Sequence, residues 1–343
     1  MSGLDAVPAA CPHLLGVGAL VSVLGLASLG GCTRPQAPRQ NKESQPHVAA
    51  SVVAKAAPEV HGPRASPALQ RQPGLKATGM LALPSGRLLL WSEDGQIQLG
   101  TVNEGWEGSL HLPLAYLISV VVEEGGALVG GSRQSASGSE SGVAVAIDDH
   151  GAVLRKWELP EGMFSAVAVH GSQRWAISLD DLFMLRSDGA LERSGAVALG
   201  SDLRITPGGQ WVFCVPVNLT AAHSASAKCA ARGKQTWRAE GRWTTPPLLC
   251  GRWLVEAAET HVVVRSLETG LEVQQKPIEK GAAVACAAED TVLIGASHVE
   301  ALHLPNLTRR WQVPADHGRV QALASVGDRV AVLSTTGKVA WLK

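Results

Sequence analysis

The sequence predicts an all-β fold: a seven-bladed β-propeller of four-stranded antiparallel blades, preceded by a signal peptide and a disordered linker. Three observations predict it. From about residue 75 onward, a cycle of strand, short turn, strand, loop, strand, Gly-centred turn and strand recurs, with turn landmarks spaced roughly as four-stranded blades require. The chain carries 37 glycines among alternating apolar residues rich in valine and threonine, and it lacks long stretches of helical periodicity. Its aromatics are skewed to ten Trp against three Phe and one Tyr, as if tryptophan held a position fixed by the repeat.

The clearest landmark is the turn between the third and fourth strands. It reads Asp148-Asp149-His150-Gly151, Ser187-Asp188-Gly189, Ala231-Arg232-Gly233 and Leu267-Glu268-Thr269-Gly270, with Leu304-Pro305-Asn306 in the same place further on. Asp-Gly and Thr-Gly supply the left-handed backbone of a tight turn, and Asn is the next-best residue there. Trp157, Trp237 and Trp311 follow this turn, and Trp106 stands in a similar place in the first repeat. Gly-x-Trp opens the second strand at Gly209-Gln210-Trp211 and Gly251-Arg252-Trp253. Packing between blades is the expected role of these tryptophans. The blades fall at 76–112, 113–160, 161–199, 200–243, 244–280, 281–317 and 318–343, the second lengthened by a Ser/Gly-rich loop over 133–142.

The chain as a whole has 343 residues, 45% apolar and 17% charged, and a formal net charge of +0. That is ample material for one large core, and it gives no long-range attraction for nucleic acid. Residues 14–29 carry no charge and have the length of a signal-peptide apolar region; they are marginal for a spanning helix of about 20 apolar residues, an uncleaved membrane anchor being the other reading. Leu29-Gly30-Gly31-Cys32 follows at once. It resembles the lipobox of bacterial lipoproteins, which implies cleavage before Cys32 and acylation of its thiol. The first 13 residues depart from that pattern, having Asp5 and no Lys or Arg. Residues 32–67 read as a proline-punctuated tether reaching roughly 30 Å, leaving 68–343 for the propeller. Thr33 after the cysteine, in that resemblance, implies the outer membrane.

The repeats resemble those of the quinoprotein-like (PQQ-like repeat) propeller superfamily, whose blades carry an A-x-D-x-x-T-G-x-x-x-W pattern. The segment Arg265-Ser266-Leu267-Glu268-Thr269-Gly270 and residues 151–157 come nearest to it. Propellers of the WD40 type fit less well, since the chain has no Gly-His or Trp-Asp dipeptide. The quinone dehydrogenases of the superfamily are larger, mostly eight-bladed, and often place a disulfide of adjacent cysteines over the cofactor. No adjacent cysteines occur here, so no cofactor is expected.

Chemistry-bearing motifs are sparse. G-x-S-x-G, H-E-x-x-H, C-x-x-C and the Gly-rich phosphate loop are missing, so no catalytic or metal-ligating residue is assigned. His298 and His303, five residues apart on an expected strand, point to opposite faces. The doublets Glu123-Glu124, Asp148-Asp149 and Asp180-Asp181 read as turn residues rather than calcium ligands. One locally basic stretch, Lys228, Arg232, Lys234, Arg238, Arg242 and Arg252, faces either solvent or an anionic partner. The mature domain keeps four cysteines. Cys214 and Cys229 oppose one another if the hairpin centres near Ala221 and Ala222, and form the favoured disulfide in an oxidising compartment. Cys250 and Cys286 lie on equivalent inner strands of neighbouring blades, and whether that separation allows a bond is left open.

The last repeat ends at Lys343 with three strands, so its outer strand is expected from the N-terminal side, near residues 68–72. The leading functional expectation is a non-enzymatic scaffold for protein–protein interaction, lipid-anchored in the cell envelope and facing the periplasm or the exterior. By resemblance, it is similar to the lipoprotein propellers that assist outer-membrane β-barrel assembly, although those have mostly eight blades. The alternative is an enzyme or small-ligand receptor working in the central channel. The small apolar residues of the inner strands, such as Ala282-Ala283-Val284-Ala285, weigh against that alternative.

Overall fold

The computed structural model describes residues 65–66, 74–101, 103–134, 138–179, 181–197, 202–205, 211–216, 226–232, 237–242 and 247–342. For residues 65–66 and the four strands between 202 and 242, the description is of backbone pairing. Seven separate antiparallel sheets follow one another along the chain, one in each expected blade. The fold is a seven-bladed β-propeller.

Blade 2 shows the unit most fully. Its strands Tyr116–Glu123, Gly126–Gln134, Glu140–Asp148 and Val153–Leu159 pair in sequence order from the inner strand outward. Gly151 (φ +82°) and Gly189 (φ +89°) take the left-handed turn positions expected of them in blades 2 and 3. In blade 6 that conformation falls on Leu307 (φ +53°), one residue after the expected Asn306. Leu307 is buried against the seam with blade 5, so core packing holds a backbone conformation that a β-carbon disfavours. Blade 1 departs from the pattern in another way. Its outer strand is split into Gly105–Trp106 and Leu110–His111, both pairing with Gln96–Thr101.

The sheets stack face to face around the ring, and their seams form the core. Leu89, Ile97, Val129 and Val145 pack between blades 1 and 2. Leu128, Trp157, Phe164 and Phe183 fill the seam of blades 2 and 3. A repeated device sets the spacing. Gly130 on the second strand of blade 2 admits Val167 from the inner strand of blade 3, and Gly295 in blade 6 admits Val320 from blade 7. A β-carbon on either glycine would lie about 2.5 Å from the valine, so each glycine is required by the approach of the next blade.

The ring closes with strands from both ends of the chain. Blade 7 takes Val320–Val326, Arg329–Ser334 and Val339–Leu342 from the C-terminal end and Ala65–Ser66 from the N-terminal end. Ala65 pairs with Leu342 and Ser66 with Trp341. The closing partner is therefore found two residues before the expected 68–72 segment, which itself lies outside the described residues. Leu88 and Leu90 of blade 1 then pack on Ala331, Leu333 and Trp341 of blade 7, leaving neither terminal blade face bare.

Candidate functional site

The inner strands crowd together at the axis, and side chains there stitch blade to blade. Three of these strands carry bulges: between Leu117 and Ser119, Cys286 and Ala288, and Val320 and Ala322. At the first, the Ser119 hydroxyl accepts a hydrogen bond from the Val167 amide of blade 3 (3.2 Å). At the third, the Gln321 amide donates to the carbonyl oxygens of Ala77 (3.3 Å) and Thr78 (3.4 Å) in blade 1. At the second the stitch is covalent. Cys286 forms a disulfide with Cys250 of blade 5, their Cα atoms 5.6 Å apart. The pairing left open in the sequence is thus decided: inner strands converge on the axis, bringing neighbouring blades within bonding reach.

Cys214 and Cys229 stand directly opposite one another in the register of Trp211–Pro216 and Ser226–Arg232, as the hairpin reading requires. Their side chains lie outside the described residues, and so do residues 1–64 with Cys32. The same strand pairing places the basic stretch. Lys228, Arg232, Arg238 and Arg242 fall at register positions of one face of blade 4, with Glu240 opposite Lys228. Lys234 is outside the described residues. Arg252 belongs to blade 5, where its guanidinium lies 4.8 Å from the Trp253 ring centroid.

The remaining sequence candidates resolve into local structure. Asp148 accepts the amides of His150 (2.9 Å) and Ala152 (2.8 Å), closing its turn. Glu123 is buried and pairs with Arg174 of blade 3 (2.5 Å), and Asp181 pairs with Arg193 (2.6 Å). Glu123, Asp148 and Asp181 thus each turn to a separate local partner, and Asp180 lies outside the described residues. His298 and His303 turn to different carboxylates, Glu279 (3.1 Å) and Asp290 (3.5 Å). Among the described residues, no group of three or more His, Cys, Asp or Glu side chains is placed to hold a metal. Trp157, Trp106 and Trp311 all pack in seams, as expected of them.

Sequence reasoning missed a groove of about 370 Å³ between blades 5 and 6. Its floor is Ile278, Ile294 and Ala296, part of the apolar cluster that also holds the disulfide. Along one wall Lys276 of blade 5 (2.7 Å) and Arg309 of blade 6 (3.5 Å) both face the buried carboxylate of Glu300. At the other end Glu279 accepts the Ser297 hydroxyl and faces His298 Nδ1. The Ser297 hydrogen bond, aided by His298 and Arg319, lowers the Glu279 pKa below the ordinary glutamate value. Lys276 and Arg309 occupy outer strands of successive blades, so a repeat alignment of those strands is the signal that could have joined them.

Exposed apolar side chains mark two further stretches. Tyr116, Ile118 and Val122 stand out along the inner strand of blade 2, with Tyr116 55% exposed. Val153 and Leu154, 51% and 59% exposed, open the outer strand of the same blade.

No protein-family model and no curated protein matches the chain. Solved structures do. The WD40 β-propeller domain of Doa1 is similar with a TM-score of 0.57 at 11% identity, covering 82% of this chain and 97% of that one. BamB from Moraxella catarrhalis is similar with a TM-score of 0.51 at 14% identity, covering 78% of this chain and 97% of that one. At such identities the likeness is one of fold, and what it establishes is that this chain is a β-propeller.

Proposed function

We propose that the protein is a lipid-anchored, non-enzymatic β-propeller scaffold of the cell envelope, held through Cys32 and presenting its blades to a protein partner. The observation that carries this reading is the Cys250–Cys286 disulfide. A structural disulfide is made and kept in an oxidising compartment, which agrees with export behind residues 14–29 and the Leu29-Gly30-Gly31-Cys32 sequence. Attachment to a membrane also fits the closure of the ring. The tether enters at Ala65–Ser66 in the outer position of blade 7, so the propeller would hang from its own closing strand. Scaffold work is supported by solvent-exposed apolar side chains such as Leu154 and Leu271 (59% and 68% exposed), which a partner could cover. The face of blade 4 that holds Lys228, Arg232, Arg238 and Arg242 would suit an acidic partner surface. Which membrane holds the protein is read from Thr33 alone, by the lipoprotein resemblance.

Metabolic labelling with a fatty-acid analogue tests the anchor. Label is expected on the wild type and lost in Cys32→Ser, and equal labelling of both would sink the assignment. Chemical cross-linking in intact cells, followed by recovery from detergent-solubilised envelope, tests the scaffold. A discrete cross-linked protein is expected with the wild type, and a monomer band alone would count against the reading.

A further inference from the structure

We propose that the groove between blades 5 and 6 binds a short peptide segment carrying a carboxylate beside an apolar side chain. This rests on the scaffold reading and gives it a site. The charge count on the groove wall comes first. Lys276 and Arg309 both face one carboxylate, Glu300, whose side chain is only 6% exposed. Lys276 holds it at 2.7 Å, and Arg309 stands off at 3.5 Å with 57% of its own side chain exposed. One positive charge is therefore left over on the open side of the wall. A guanidinium presents five N–H donors in a planar fork, so Arg309 can face Glu300 and still take a second carboxylate. Gln312, opposite Glu300 in the strand register and also lining the groove, adds amide donors next to it.

The floor decides what accompanies that carboxylate. Ile278, Ile294 and Ala296 offer a small apolar surface, and among the described residues no Trp, Tyr or Phe lines the groove. A sugar, which stacks on aromatic faces, finds no platform there. A phosphate-rich ligand would meet two lining carboxylates, Glu279 and Glu300, against the single spare cation. A lone carboxylate next to an aliphatic side chain needs no aromatic platform, and it brings one negative charge to match the one spare cation, Arg309. The volume of about 370 Å³ is at the small end of ligand sites, so the groove takes a few residues of a chain rather than a folded domain. The disulfide bears on the same surface, because Cys250 and Cys286 belong to the cluster that supplies the groove floor. It fixes the two blades whose separation sets the groove width.

The test is an array of synthetic hexapeptides with Leu, Val or Ile as the last residue, each made with a free C-terminal carboxylate and with a carboxamide. It is probed with the full-length protein purified in detergent. Carboxylate peptides are expected to bind at least about ten-fold tighter than their amide partners. Arg309→Glu should abolish that preference, and the matched charge reversal Arg133→Glu on the distant blade 2, whose side chain is also exposed, should keep it. Equal binding of the two sets, no binding of either up to about 1 mM, or a preference that survives Arg309→Glu would overturn the proposal. Both variants change exposed side chains, and their melting temperatures, measured alongside, should stay near the wild type. The cellular cross-linking experiment separates the two levels. If Arg309→Glu yields the same cross-linked partner as the wild type, the partner docks elsewhere and the groove assignment falls while the scaffold stands. If neither yields a partner, it is the scaffold reading that fails, and the array still decides what the groove binds.

Discussion

The seam between blades 2 and 3 and the seam between blades 5 and 6 solve one packing problem in opposite ways. The first is filled by volume. Trp157, Phe164 and Phe183 meet there, so two of the chain's three phenylalanines serve one seam. The Phe164 and Phe183 rings stand edge to face at 6.3 Å, and the Trp157 indole N–H donates to the Arg186 carbonyl at 2.8 Å. The second seam is lined by Val, Ile, Leu and Ala, with Trp253 only partly buried at its border. Smaller side chains bury less area, and here a disulfide joins the blades while a groove stays open between them. The backbone repeat is thus indifferent to how a seam is closed. Bulk closes it completely, whereas a covalent stitch closes it at the axis and leaves room farther out.

The largest effect should come from removing bulk. Trp157 is 1% exposed, and Trp157→Ala would leave a cavity and remove one of the two hydrogen bonds that the Arg186 carbonyl accepts. The expected loss is about 4 kcal/mol, read as a lower denaturation midpoint in urea. A loss no larger than for an exposed leucine such as Leu154 would mean that bulk is not what holds the seam.

The covalent stitch should follow closely. Its ring spans 36 residues, for which loop-closure entropy gives about 3 to 4 kcal/mol. The Cys250→Ser/Cys286→Ser double variant should melt below the wild type, and reductant should lower the wild type by more than the double variant, in which only Cys214 and Cys229 remain to respond. Under the same reductant, Trp157→Ala should lose a further increment similar to the wild type's, because the two seams share no residue. If reduction leaves the wild type unchanged, the groove must be held by apolar packing alone.

The contrast between the seams also shows what could be read from the sequence. Turns are local, so Gly151 and Gly189 announced their left-handed backbone, and the spacing of such turns gave seven blades with the right limits. Recurrence after the turn placed Trp106, Trp157 and Trp311 in seams for the same reason. The Leu307 turn was displaced by a residue because a buried tertiary contact, not local propensity, set its conformation. Pairing of Cys214 opposite Cys229 was legible, since a hairpin relates them by counting. Pairing of Cys250 with Cys286 was not, since it depends on how closely two blades approach at the axis. The groove was hidden for a related reason: Lys276 and Arg309 meet only through the stacking of blades, and each alone looks like an ordinary charge on an outer strand.

A third kind of closure is weaker than either the bulk or the disulfide. Glu123 of blade 2, its side chain 3% exposed, pairs with Arg174 of blade 3 at 2.5 Å, and the Arg174 guanidinium lies 6.0 Å from the Trp157 ring centroid. Arg174→Met should cost about 2 kcal/mol, because it strands a buried carboxylate. Adding Glu123→Gln to that variant should return part of the loss, the remaining amide being cheaper to bury than the charge. A double variant no more stable than Arg174→Met would show that the pair acts through packing against Trp157 instead.

The smallest effect should come from the stitch that joins the two ends of the ring. The Gln321 amide bridges blade 7 to blade 1 by donating to the carbonyl oxygens of Ala77 and Thr78, at 3.3 and 3.4 Å. Both distances are long for N–H···O bonds, so each is weak. Gln321 occupies a bulge on the inner strand and is only half-buried, which lets water replace the lost donor. Gln321→Ala should therefore cost less than about 1 kcal/mol, even though the residue spans the junction where the chain closes on itself. Blades 7 and 1 keep their own apolar seam, with Trp341 of blade 7 1% exposed against Leu88 and Leu90. Urea denaturation of Gln321→Ala against the wild type checks this. A loss comparable to that of the disulfide would mean that polar stitches at the axis, rather than the seams behind them, hold the ring shut, and the ordering of all four effects would have to be reversed from this end.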